Sequence, residues 1–290
     1  QLSKTIYVPS GVRIIGYGNK RPVFVLAKQS PGFQEVTRET SKGKYIFWFI
    51  GGNYRPGGRI GDANAGTFYS SMINIDIRIE DGNPNATGIR AHFAQHCSIS
   101  HVTIHAGKGR AGIADPGNHL DNVAVYGGEY GIDTDKSAPG WPIMLLNSYF
   151  EGQRKSAILT QEGGLTIVRM HAKNVPVAIE IKENAPDRLF MEDCIFENVS
   201  RTGVILTDAG NAATQINLQN IQCKNVPQFA LERATNEQVT GKGKMYRVTR
   251  FTFGFNADNL EDIPQIVRLS QSESIQKIVP LNADNTPMLP

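Results

Sequence analysis

A four-residue phrase recurs along this chain from residue 72 onward, and its spacing leaves few architectures open. The phrase is a polar residue, a small or apolar one, any residue, then another apolar one. It reads Asn74-Ile75-Asp76-Ile77, His101-Val102-Thr103-Ile104, Asn122-Val123-Ala124-Val125 and Asn147-Ser148-Tyr149-Phe150. It returns as Arg169-Met170-His171-Ala172, Asp193-Cys194-Ile195-Phe196, Asn220-Ile221-Gln222-Cys223 and Arg250-Phe251-Thr252-Phe253. Successive second positions lie 27, 21, 25, 22, 24, 27 and 30 residues apart. Alternation at two residues within a period in the twenties, without amphipathic helices, marks a solenoid of strands.

A second column keeps step with the first. Ile89, Ile113, Ile132, Ile158, Ile179 and Val204 each follow Gly or Ala, and lie 14, 11, 9, 10, 9 and 10 residues after the first column. The small residue lets the chain turn tightly, and the branched residue then points inward. Identical positions stack from coil to coil about 4.8 Å apart. The expected fold is all-β: a single-stranded, right-handed parallel β-helix, the hand being the default for parallel crossovers. It is expected over residues 1–255, with an irregular tail or linker over 256–290, where the phrase stops and prolines accumulate. The Tyr45–Ile50 run is too short to cross a bilayer and reads as a buried strand. The opening, Gln1 to Pro9, holds nothing that could cap a solenoid end, so the chain reads as an excerpt without its N-terminal cap.

Composition excludes some partners. The net charge is +3 and no Lys/Arg run occurs, which argues against nucleic acid, and nothing argues for a membrane. Cys97, Cys194 and Cys223 lack metal-ligand spacing and read as core thiols. His96, His101 and His105 do not form a metal site, since no third ligand falls at the right spacing. Asn74, Asn122, Asn147 and Asn220 share one stacking position and are expected to form an amide ladder inside a bend.

The segment Val8-Pro9-Ser10-Gly11-Val12-Arg13-Ile14-Ile15-Gly16-Tyr17-Gly18 resembles the pectate-lyase-like β-helix superfamily (glycosyl hydrolase family 28-related, pectate lyase 3 type). Asn83 to Ile89, Ala94-Gln95, Gly127 to Ile132 and Phe150 to Gln153 are similar to the first β-helix of glycoside hydrolase family 55, whose members are exo-acting β-1,3-glucanases with two β-helices. The resemblance implies a polysaccharide substrate, a secreted or periplasmic location and a second β-helix domain in the full-length protein. It also implies sugar- or water-contacting roles for Gln95 and His92. That family places its general acid on the second β-helix, which this chain does not contain.

The residues just after the second column carry the candidate chemistry. They are Arg90 and His92, Asp115, Asp133 and Asp135, Gln161 and Glu162, Glu180 to Glu183, then Thr207-Asp208. Like charges stacked one coil apart are expected to raise each other's pKa, which would make a general acid. Glycoside hydrolysis needs two carboxyl groups at about 5–5.5 Å or about 6.5–9.5 Å, roughly one or two coil steps. Asp115, Asp133, Asp135 and Glu162 offer such pairs, Asp135 with Glu162 or Asp115 foremost. Trp141, on a long loop, would stack a sugar ring. Arg154 lies in a charged stretch, Glu151 to Lys155, whose place straight after the first column reads as a solvated corner; the alternative is that it binds an acidic sugar or serves as the base of a β-elimination.

Three functions stay open on these residues. One is a glycoside hydrolase working by carboxylate acid/base catalysis, without cofactor. A second is a pectate-type lyase, with Ca²⁺ on Asp133, Asp135 and Glu162 and a basic residue such as Arg90. The third is a non-catalytic polysaccharide-binding β-helix.

Overall fold

The computed structural model describes residues 1–37, 42–51, 57–58, 60–136, 142–257, 259, 261–269, 277–282 and 284. The described chain is all-β, with no α-helix, and forms a parallel β-solenoid of about 6 turns. Each coil contributes to three stacked faces. The first face runs through Lys44–Phe49, Ala86–Arg90, Ala111–Ala114, Tyr130–Asp135 and Ser156–Gln161, continuing into the C-terminal halves of His171–Ile181 and Ile195–Leu206 and ending with Gln228–Glu232. Its inward column is Phe47, Ile89, Ile113, Ile132, Ile158, Ile179, Val204 and Ala230, in register and buried. This is the second column of the sequence, extended by one residue at each end.

The phrase of the sequence forms the third face and the corner before it, and the residues just ahead of the phrase form the second face. Met72, Ile99, Leu120, Leu145, Ile167, Met191 and Leu218 stack inward on the second face. Ile77, Ile104, Val125, Phe150, Ala172, Phe196 and Cys223 stack on the third. All fourteen are buried. Non-directional burial of these three columns holds the solenoid together, since each coil covers the apolar floor of the next.

Between the second and third faces the chain bends at the polar residue of the phrase. Asn74, His101, Asn122, Asn147, Arg169, Asp193 and Asn220 all have φ between 49° and 59°. That left-handed conformation favours Asn and Asp, whose short side chains bond locally. The expected bend at Asn74, Asn122, Asn147 and Asn220 is present, but the amides form no continuous ladder there, because coils bearing His101, Arg169 or Asp193 interrupt them. A continuous amide ladder lies at another corner. There the Asn225 side chain donates to Asn198 at 2.8 Å, and Asn198 donates to Asn174 at 2.9 Å.

The eighth copy of the phrase also differs from expectation. After the strand Gln228–Glu232 the chain reverses, because Gln238–Thr240 pairs with it antiparallel. Met245–Asn256 then returns antiparallel to Gln215–Lys224, setting Phe251 against Leu218. Gln265–Val267 and Lys277–Pro280 pair antiparallel with Met245–Asn256 in turn.

Candidate active site

Strand alternation decides what lies outside the first face. With Ile89, Ile132, Ile158 and Ile179 facing inward, residues one and three positions later face outward. They are Arg90 and His92, Asp133 and Asp135, Leu159 and Gln161, then Glu180 and Lys182. The coil between the first two pairs bends at Asp115, whose φ is 43°. Six of these eight outward residues carry charge or an imidazole, so their neighbours determine the chemistry.

Asp115 pairs with both Lys42 and Arg90, and accepts the backbone N–H of Asp135 at 2.7 Å. Lys42 Nζ also lies 2.9 Å from Asp135 and 3.8 Å from Asp133. Lys182 Nζ lies 2.6 Å from Asp135 and 3.1 Å from Asp133, and Arg110 holds Asp133 at 2.8 Å. At the other end Arg90 meets Asp62 at 2.5 Å. Asp62 also accepts the indole N–H of Trp48 at 2.8 Å and lies 3.2 Å from His92 Nδ1. Four carboxylates thus meet four cations in one network. Burial is uneven: the side chain of Asp133 is 1% exposed and that of Lys42 8%, whereas that of Asp135 is 42% exposed.

This neutralisation overturns the expected electrostatics. Burial pushes the Asp135 carboxyl up, but Lys42 and Lys182 outweigh burial and hold it below the usual carboxylate range. Burial also opposes the charge of Lys182, yet Asp133 and Asp135 keep its pKa above the usual lysine value. Asp62 is desolvated too, but hydrogen bonds from His92, Arg90 and Trp48 and the charge of Arg90 bring it down to about 2. Like-charge repulsion does not govern the cluster, because a cation stands between each pair of acids. A carboxylate held ionised in this way can accept a proton or act as a nucleophile, and is unsuited to donating a proton. Among the described residues the one carboxyl whose pKa burial drives up is Asp187, which takes Thr160 Oγ1–H at 2.5 Å and the N–H of Gly164 at 3.0 Å, and so holds a turn.

The structure brings Asp115, Asp133, Asp135, Arg90 and His92 into one network. Glu162 stands apart from it. Gln161 is the register partner of Asp135, and Glu162 follows it at φ 50°, exposed and 3.3 Å from Lys136. Arg154 is turned away, donating to the carbonyls of Gly107, Lys108 and Gly109 at 2.9–3.1 Å and clasping a neighbouring turn. Gln95 is half-buried, and its Oε1 has no hydrogen-bond partner among the described residues. Trp141 lies outside the described residues. A calcium ion on Asp133, Asp135 and Glu162 does not fit, because the ammonium groups of Lys42 and Lys182 occupy the space such an ion would take between the aspartates. Among the described residues no group of three His, Cys, Asp or Glu side chains could hold a metal.

Sequence reasoning missed Lys42, Asp62, Arg110 and Lys182. Lys182 was open to discovery, since it occupies the outward position that Asp135 occupies two coils earlier. Lys42 and Asp62 come from segments outside the repeat and carry no periodic signal. Further along the same edge, a recess of about 280 Å³ is lined by Glu183, Asn184, Thr207, Asp208, Arg233 and Ala234.

Comparison with known proteins gives one family and a distant structural likeness. The model for rhamnogalacturonase A/epimerase, pectate lyase-like proteins matches residues 1–180. No curated protein matches the chain. Two solved structures of the catalytic domain of a GH87 alpha-1,3-glucanase, aspartate-to-alanine variants in complex with nigerose, are 15% identical to it. Their TM-scores are 0.31 and 0.28, and each match covers 80% of this chain. The chain spans 62% of the length of those domains.

Proposed function

Because the chain belongs to the rhamnogalacturonase A/epimerase, pectate lyase-like family, we propose that it is a carbohydrate-active enzyme that hydrolyses glycosidic bonds of a polysaccharide. The observation that carries this reading is Asp135, the solvent-facing carboxylate of an otherwise buried ionic network, fixed by Lys42 and Lys182. A carboxylate kept ionised and held rigid is what an attacking water or an anomeric carbon requires. Asp115 and Asp133 are buried and paired, and support Asp135 rather than react. Glu162, exposed on the rim, is the remaining carboxyl beside them. A β-1,3-glucan is the first substrate to try, following the resemblance to glycoside hydrolase family 55, and a polymeric substrate places the enzyme outside the cytoplasm.

Elimination is the weaker reading. It needs a neutral amine or guanidine as base, and Asp133 and Asp135 hold Lys182 protonated. The two reactions separate by product. Laminarin should yield reducing ends, and polygalacturonate should yield no ultraviolet absorbance from a new C=C bond. Asp135→Asn should lower the rate by about 10²–10⁴-fold. Release of unsaturated product would replace hydrolysis by elimination. Retention on a polysaccharide gel with no product of either kind would leave a binding module.

A further inference from the structure

The recess of about 280 Å³ beyond Asp135 is lined by Glu183, Asn184, Thr207, Asp208, Arg233 and Ala234. Its place on the edge ties it to the charged network. Asp135 is the register partner of Gln161, and the N–H of Lys182 on the following coil donates to the carbonyl of Thr160 at 2.8 Å. Glu183 comes next in the chain, while the Lys182 ammonium reaches back to Asp135 at 2.6 Å. Recess and carboxylate thus stand one lysine side chain apart. Solvent reaches the whole way between them. Asp135, Gln161 and Lys182 are half-buried, and Glu162, Glu183, Asn184 and Asp208 are exposed.

The lining narrows what could sit there. Five of its six residues are polar, so an aromatic or aliphatic guest would find little to bury against, whereas a ring covered in hydroxyl groups would find donors and acceptors. The volume falls just below the roughly 300–1,000 Å³ of drug-sized sites, which suits one sugar ring. Charge narrows the guest further. Both terminal nitrogens of Arg233 are engaged, Nη2 with Glu180 at 2.6 Å and Nη1 with the carbonyl of Ile181. Asp208 accepts the N–H of Gly210 at 2.7 Å, and Arg268 approaches that glycine. Lys182 gives its charge to Asp133 and Asp135. Glu183 and Asn184 have no side-chain partner among the described residues. Glu183 is therefore a lining charge without a counterion.

We propose that this recess is a sugar subsite beside Asp135, which takes one neutral pyranose residue of the polymer and rejects a uronic acid. The proposal rests on the hydrolase reading for the bond that is broken, and adds to it the class of sugar held next to that bond. Asn184 and Glu183 meet the hydroxyl groups of the guest. A uronate carboxylate in the same place would face Glu183, with every cation around it already engaged. Glu183 thus sets specificity and touches no reacting atom.

Two polymers of one linkage test the subsite: laminarin, and laminarin oxidised at C6 to its glucuronate form. Dissociation constants at low salt should favour laminarin by about tenfold or more. Glu183→Gln should narrow that ratio by about three- to tenfold, and Glu183→Lys should abolish or reverse it. Glu183 is exposed and unpaired, so neither change should disturb folding. Raising the salt should compress the ratio in the parent protein. The same neutralisation on the third face, Glu197→Gln, should leave the ratio where it was. Equal affinity of the parent for both polymers, no affinity for either, or a Glu183→Lys ratio within about twofold of the parent's would overturn the subsite. Release of reducing ends from laminarin would still stand for the hydrolase in each of those cases. A protein that discriminates as stated yet releases no reducing ends would overturn hydrolysis and keep the recess as a binding site.

Discussion

The outer sides of the first and third faces are built from the same stacked strands, yet they handle charge in opposite ways. On the third face, Lys173, Glu197 and Lys224 are register partners on three successive coils, and Glu197 meets its neighbours at 3.8 and 3.2 Å. An aromatic stack runs beside them: His105 on Tyr126 at 5.1 Å, Tyr126 by Tyr149 at 5.6 Å, and His171 edge-on to Tyr149 at 5.1 Å. Every partner there comes from the adjacent coil, and Lys224 stays half exposed. On the first face, Lys42 enters from outside the repeat, reaches three aspartates and is almost fully buried. On the third face the pairs are shallow and screened, whereas on the first face a side chain delivered by an aperiodic segment completes a deeply buried ionic network.

The sharpest way to break this contrast is to remove one cation from each face. Lys42→Met leaves buried carboxylates short of a partner and should cost about 3–5 kcal/mol in urea unfolding. Lys224→Met should cost about 0–1 kcal/mol. Similar small losses at both sites would show that the first-face network is not the stability element described.

Acid should separate the faces next. Asp62 and Asp135 have folded pKa values below their unfolded ones, so their stabilisation is present above about pH 4 and is lost as pH falls toward the folded values, about 2 for Asp62. On the third face, burial pushes the pKa of His171 down despite Glu197. Its unfolded form therefore takes up a proton first, and its contribution begins to fall below about pH 6.5. Urea midpoints measured from pH 7.5 to pH 2 should show two declines. Asp62→Asn should flatten only the acidic one, and His171→Phe only the milder one. A single decline unaffected by Asp62→Asn would contradict the assignment.

The smallest effect belongs to the amide ladder. Asn198→Ala removes two side-chain hydrogen bonds at a residue with φ 53° and should cost about 1–2 kcal/mol. Asn198→Gly should cost less, because glycine accepts that backbone freely. If glycine proved the worse of the two, the left-handed backbone would not be the term that separates them.

The columns were legible in the sequence because a buried β position tolerates little besides apolar residues, branched ones foremost. Gly88, Gly112 and Gly131 before Ile89, Ile113 and Ile132 made the pattern plain. The outward aspartates followed from the same alternation. Their ionisation did not, since Lys42 stands 73 residues from Asp115 in the chain and belongs to no repeat. Asp62 was equally silent, for its partners Arg90 and Trp48 are ordinary strand residues until the loop folds over them. The direction of Arg154 was hidden for the opposite reason: a charged turn residue reads as exposed, and its three carbonyl acceptors appear only when the coils stack. The reversal at Gln238–Thr240 left the phrase around Phe251 intact while inverting its strand, because period-two alternation is blind to chain direction.

That reversal has a consequence for how such a molecule can change length. Along its far edge Met245–Asn256 already pairs with Gln265–Val267 and Lys277–Pro280, so a duplicated coil finds that edge occupied and growth by tandem duplication fits only upstream of Gln215. The same pairing covers much of the edge on which a strand of another copy could template.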